Sequence, residues 1–161
     1  MNTSVLVMND TRGDRHHGCQ AVMSAICSLM ERNGMRATHF WPAHADWRND
    51  SGFDAALGSA RLAIINGEGT IHHDRPAGRR LLEAGMKAHA AGVPVALINT
   101  GWEANDIQLA EMLTWFNLVA ARDSRSARQM RAAGAEAYRR AAEMKSLIRF
   151  SACICRDHAE P

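Results

Sequence analysis

The stretch that decides the fold is RLAIINGEGTIHHD, residues 61–74. An apolar run, Arg61–Ile65, breaks off into two glycines, a carboxylate, a hydroxyl and a pair of histidines. Four further short runs follow the same plan, at Ser4–Met8, Met35–Trp41, Val93–Ile98 and Asn117–Ala121. Three of the five are continuous rather than alternating, as expected for parallel strands covered on both faces. Between them lie segments of helical period. Val22, Ile26, Leu29 and Met30 form one apolar stripe. Leu81, Leu82, Gly85, Met86 and His89 form a second, and Leu109, Met112, Leu113 and Phe116 a third. Gly34 and Gly92 stop two of these helices just before the next strand.

A β-α-β-α repeat of this kind predicts an α/β fold, a doubly wound parallel sheet of about five strands, Rossmann- or flavodoxin-like. Ligands of such sheets bind outside the carboxyl ends of the strands, where the strand order reverses. The polar loops at those ends are Asn9–Gly18, Pro42–Asp50, Gly67–Arg75, Asn99–Asp106 and Arg122–Ser126. A strand order of 3-2-1-4-5 would pair the first of these loops with Asn99–Asp106; the order 2-1-3-4-5, which we favour over it, brings the first and third together. Both paired-histidine loops then share one cleft.

Bulk properties narrow the class. A chain of 161 residues suits one domain with a sizeable core. A net charge of +2 does not argue for nucleic acid, and the late arginines alternate with alanine as on a solvated helix face. Four cysteines with no CxxC pair favour a reduced, cytoplasmic chain. The N-terminus has neither the charged nor the long apolar region of a signal peptide. No apolar run approaches the roughly 20 residues that span a bilayer, so a membrane contact would be peripheral. A homo-oligomer stays open.

In the third loop, Gly67 and Gly69 permit positive φ and close approach of the backbone to a ligand. Followed by a helix start at Pro76, they predict an anion-cradling turn. The spacing is neither a Walker motif nor GxGxxG. His16, His17, Cys19, His72, His73 and Asp74 offer metal-ligand chemistry. Adjacent histidines, however, lack the usual i, i+2 or i, i+4 geometry, so no metal site is assigned. Hydrogen bonding to substrate, or support of their own loops, suits the histidines better. Asp123 or Ser124 marks the last helix start. Arg122 suits a bidentate contact with phosphate or carboxylate. Trp102 reads as a core residue closing the top of the sheet, and Arg12-Gly13-Asp14 as a loop rather than an adhesion motif.

Taken in order, four loops resemble the polysaccharide pyruvyl transferase family. They are Asn9…Gly13-Asp14, the glycine turn at Gly67, the glycine after the fourth strand, and ARDSRSARQMRAAG at residues 121–134. The resemblance covers about residues 4–134. It implies the N-terminal Rossmann-like domain (1–134) of a GT-B-like, two-domain transferase. Such an enzyme passes the pyruvyl unit of phosphoenolpyruvate to a sugar of a surface polysaccharide as a ketal, without metal or other cofactor. It also implies substrate-binding roles for Asn9, Asp10, Gly13, Asp14, Gly67, Glu68, Gly69, Thr70, Gly101, Arg122, Asp123 and Ser126. His16, His17, His72 and His73 become candidate general bases to the sugar hydroxyl. Glu68 stands where most members have the middle of three glycines, and Trp102 where Pro is common. Residues 135–161, a basic helix and polar tail on this reading, are expected to be a truncated or frame-shifted remnant. The competing reading is a single-domain module, without catalysis of its own, that binds a phosphorylated ligand or nucleotide sugar.

Overall fold

A computed structural model describes residues 3–14 and 17–133. Five strands alternate with five helices: β1 (Thr3–Asp10), α1 (His17–Arg32), β2 (Met35–Pro42), α2 (Ser51–Ser59), β3 (Leu62–Asn66), α3 (Pro76–Ala90), β4 (Val95–Thr100), α4 (Ile107–Met112), β5 (Leu118–Ala121) and α5 (Ser124–Ala132). The sheet is all parallel, in the order β2-β1-β3-β4-β5. This is the α/β, Rossmann/flavodoxin-like architecture expected, with its reversal of direction between β1 and β3. Gly134 and the tail 135–161, with Cys153 and Cys155, lie outside the described residues.

The continuous runs have a simple physical origin. Successive side chains of a strand point to opposite faces, and here each face meets helices. Val5, Val7, Ile64, Ala96 and Ile98 pack with Met23, Ile26, Leu29 and Met30 of α1. Leu6, Met8, Ala63, Ile65, Val95, Leu97 and Val119 pack with Phe53, Leu82, Leu109 and Met130 from the other four helices. β4 is buried from end to end, its apolar run Val95–Ile98 passing into the polar Asn99 and Thr100.

Three expectations need correction. Helix α3 turns Gly78, Leu82, Gly85 and Ala88 inward, whereas His89 is exposed and its ring meets the Trp115 ring, 5.5 Å away. Small residues let α3 lie close: a Cβ on Gly85 would come within 2.6 Å of the Phe116 ring. The third stripe is split, since α4 ends at Met112 and a 3-10 turn carries Leu113–Trp115. The polar ends of β1, β3 and β4 also belong to the strands, which run past their apolar residues to Asp10, Asn66 and Thr100. Gly34 and Gly92 do have positive φ, at 66° and 77°, as helix-stopping glycines require. Trp102 is buried in the core. Among the described residues, no helix is long and apolar enough to cross a membrane.

Asp123 caps α5, its Oδ1 accepting from the Ser126 N–H at 2.7 Å. That backbone hydrogen bond holds the Asp123 carboxyl below the usual carboxylate value. Its contribution is therefore complete above the unfolded-state pKa, about 3.9, and disappears as pH falls through the lower folded value. Asp123→Ala is expected to cost about 1 kcal/mol at pH 7. The gap from the parent should close progressively as urea unfolding is repeated at lower pH. A gap independent of pH would contradict this account of the cap.

Candidate functional site

The site is built from asparagines. The runs of β1, β3 and β4 end in the same way, as LVMN, AIIN and ALIN, and their last residues Asn9, Asn66 and Asn99 are all buried. Asn9 and Asn99 have positive φ, 60° and 53°, a conformation that asparagine tolerates better than most residues. Each falls at a shift of strand register, between Met8 and Asp10 in β1 and between Leu97 and Thr100 in β4. Irregularities of this kind re-aim a side chain, and here both amides reach the central strand. Asn9 Nδ2 donates to the Asn66 carbonyl at 2.7 Å, and Asn99 Nδ2 donates to Asn66 Oδ1 at 3.1 Å.

This ladder fixes the glycine loop after β3. Asn66 Oδ1 also accepts from the Glu68 N–H at 3.2 Å, and Thr70 Oγ1 links Asn9 Nδ2 (3.2 Å) to the Glu68 carbonyl (2.9 Å). The Glu68 carboxylate reaches back to the first loop. Its Oε2 accepts from Thr11 Oγ1 at 3.2 Å and from Asn66 Nδ2 at 3.5 Å. Loops one and three are thereby joined at the switch point. Among the described residues, Glu68 Oε1 and the side-chain oxygens of Asn9 and Asn99 accept no hydrogen bond.

The anion cradle expected from Gly67 and Gly69 is not formed in that way. The Gly67 N–H donates to the Ile98 carbonyl at 2.8 Å and the Glu68 N–H to Asn66, so both are spent within the sheet. Gly67 lacks positive φ; it is small because a Cβ there would lie 2.4 Å from Thr100 Oγ1. Gly69 does have positive φ, 60°. The helix does not follow the turn directly, since α3 starts at Pro76 after the buried Ile71.

The other candidates fall into separate groups. His72 and His73 face each other, Nδ1 to Nδ1 at 2.9 Å, and the His73 N–H donates to the Glu103 carbonyl at 2.8 Å. They belong to the seam between the third and fourth loops, which the Asp74 and Asn105 hydrogen bonds continue. No group of three or more His, Cys, Asp or Glu residues able to hold a metal ion is present among the described residues. His17 is the exposed first residue of α1, and His16 lies outside the described residues. Asp10 is tied to Arg12, with Nη2 and Oδ2 2.6 Å apart. Partial burial pushes its carboxyl up, but the hydrogen bonds and charge of Arg12 prevail and leave it below the usual value. Asp14 lies 3.6 Å from His44, and Gly13 has open space around it. Arg122 is exposed beside Gly101 and Asp123. Ser126 is buried and its hydroxyl accepts from the Trp102 N–H at 2.9 Å, so it secures the fourth loop.

Thr11, Asn66 and Asn99 were absent from the candidates. The repeated asparagine after an apolar run was the signal for two of them; nothing local marks Thr11. No family model, curated protein or solved structure matches the chain.

Proposed function

We propose that this domain binds a saccharide in the cleft between the loops after β1 and β3, as the acceptor half of a transferase. The reaction is the one implied by the four-loop resemblance to polysaccharide pyruvyl transferases. Two sugar hydroxyls add to the enol carbon of phosphoenolpyruvate, the methylene carbon takes a proton, and phosphate leaves. One observation supports the saccharide reading. The switch point is lined by amides and a carboxylate, and the Gly67 and Glu68 N–H groups beside them are already occupied. Amide and carboxylate oxygens suit the hydroxyl donors of a polyol, while a phosphate requires donors and positive charge.

On this reading Glu68 orients the acceptor. Thr11 and Asn66 hold Oε2, leaving Oε1 to accept from a sugar hydroxyl. Glu68 is then as well placed to act as the general base as His17, His72 and His73, and by its bonded contacts it belongs to the asparagine ladder. A transferase of the resembled kind closes two domains over its reactants to exclude water and align them. On this reading the described residues are one such domain, so weak saccharide binding, near a millimolar Kd, is expected of it alone. Its proposed place is the cytoplasm, in keeping with the cysteine usage.

The test is titration with a neutral hexose oligosaccharide, followed at the backbone amides of Asn66, Glu68 and Asn99 by NMR. Saturable shifts are expected, and Glu68→Gln should weaken binding about tenfold, the worth of one hydrogen bond to a charged group. The proposal fails if these amides respond to inorganic phosphate and ignore the saccharide.

A further inference from the structure

The asparagine ladder has oxygens to spare and almost no hydrogens. Asn9 Nδ2 spends both of its hydrogens, on the Asn66 carbonyl and on Thr70 Oγ1. The Thr11 hydroxyl donates to Glu68 Oε2, and the Thr70 hydroxyl to the Glu68 carbonyl. Asn66 Nδ2 is shared among the Asn9 carbonyl, Glu68 Oε2 and the Met23 sulfur. Asn99 Nδ2 makes one bond and so keeps one hydrogen in hand. Against it stand three oxygens that accept nothing among the described residues: Asn9 Oδ1, Asn99 Oδ1 and Glu68 Oε1. They are not sealed in. Among the described residues, the unpaired side-chain polar atoms closed off from solvent are Trp41 Nε1 and Gln129 Oε1, so each of the three oxygens keeps accessible surface. Asn9 and Asn99 are nevertheless only 7% and 5% exposed. Polar groups buried this deeply are normally satisfied, by the protein or by what it binds.

Charge points the same way. Glu68 is half-buried and has no ion pair among the described residues, whereas Asp10, Glu83, Glu103 and Asp123 each meet an arginine and Asp54 a lysine. A carboxylate withdrawn from water favours a cation beside it. We propose that the ligand of this site is an amino sugar in its ammonium form, whose ammonium is held by Glu68 Oε1 and the side-chain oxygens of Asn9 and Asn99. The three side chains that carry these oxygens all bond to Asn66: Glu68 Oε2 at 3.5 Å, Asn9 Nδ2 at 2.7 Å and Asn99 Nδ2 at 3.1 Å. An ammonium has three N–H donors and no acceptor, the complement of three free acceptors and one spare hydrogen. A hydroxyl brings one hydrogen and two lone pairs of its own, and the ladder has little to offer them. The inference rests on the saccharide reading and narrows its substrate class, with an amine in place of the hydroxyl at Glu68.

The test follows the backbone amides of Asn66, Glu68 and Asn99 by NMR. The protein is titrated with glucosamine hydrochloride, glucose, N-acetylglucosamine and methylammonium chloride, at a pH where the amine is protonated and at constant ionic strength set with sodium chloride. Glucosamine is expected to bind about tenfold more tightly than glucose, the gain of a charge-assisted hydrogen bond over a neutral one. N-acetylglucosamine, whose nitrogen is a neutral amide, should fall back to the level of glucose. Glu68→Gln keeps the length of the side chain and an oxygen for Thr11 but removes the charge. It should weaken glucosamine about tenfold more than it weakens glucose, with amides elsewhere unmoved to show that the fold is kept. Equal binding of glucosamine and glucose overturns the ammonium assignment and leaves the saccharide reading standing. The assignment also falls if N-acetylglucosamine matches glucosamine, or if the gap survives Glu68→Gln. Methylammonium binding as tightly as glucosamine, with glucose silent, marks a site for cations alone and removes both readings, as does silence from all four compounds.

Discussion

Gly67→Ala is expected to destabilise the domain by about 3 kcal/mol, the upper range for overpacking a rigid site. The reason is contact, not backbone conformation, because Gly67 does not have positive φ. A Cβ at this position would lie 2.4 Å from Thr100 Oγ1 and 2.9 Å from Thr100 Cα. The Oγ1 could rotate away, but the Cα is part of β4. That strand is pinned to β3 by its parallel ladder and buried on both faces. Relief would require the β3 loop to lift, breaking the Gly67 N–H bond to Ile98 and pulling Glu68 from Asn66. Gly69→Ala provides the contrast. There the φ of 60° is unfavourable for a side chain but the space is open, so only about 1–2 kcal/mol should be lost. Gly13→Ala, with neither constraint, should fall within about 0.5 kcal/mol of the parent. Urea midpoints for the three variants give this ranking directly. A Gly67 variant no worse than the Gly69 variant would mean that the loops are not packed as described.

That ranking also shows how far the sequence could be read. Gly67 and Gly69 look alike as letters, and both suggest a flexible turn. Only the position of β4 beside β3 separates a glycine needed for space from one needed for its φ. The strands themselves were legible because burial on both faces leaves continuous apolar runs such as Ile64-Ile65 and Leu97-Ile98. The helices facing the sheet were less so, since α3 approaches through Gly78, Gly85 and Ala88, and small residues carry little hydropathy signal. The strand order was legible only as a preference. It became a site when Asn9 and Asn99, at register shifts that hydropathy does not record, turned inward to Asn66. Thr11 meets Glu68 across 57 positions of sequence. Contacts of that range have no local signature. His72 and His73, conspicuous as letters, instead join the third and fourth loops and leave the centre of the sheet to amides.

Asn66→Leu is expected to have the largest effect of any change in the site. Asn66 is fully buried, and its side chain serves five partners: the Glu68 N–H, Asn99 Nδ2, the Asn9 carbonyl, Glu68 Oε2 and the Met23 sulfur. Leucine matches its size and none of its bonding. Two donors would lose their acceptor, the Asn99 amide in a buried position and the Glu68 N–H in a partly buried one, at about 1–3 kcal/mol each, so a loss of about 4 kcal/mol is expected from their sum. Asn66→Asp separates shape from bonding. It keeps both acceptor contacts but loses the donor, and it sets a carboxylate against Glu68 Oε2, which Asn66 Nδ2 now approaches to 3.5 Å. Two carboxylates this close, in a buried setting, raise the pKa of one of them. A carboxyl whose folded pKa is raised is best tolerated below its unfolded value of about 3.9 and costs progressively more as pH rises through the folded one. Asn66→Asp should therefore lie near Asn66→Leu in stability at pH 7 and draw well ahead of it towards pH 4, where the protonated group can again donate to Glu68. Urea unfolding of both variants across that range measures the difference. If the two stay parallel at every pH, the charge of Glu68 does not bear on Asn66, and the joint between the loops would have to be held by the Asn9 and Thr70 contacts alone.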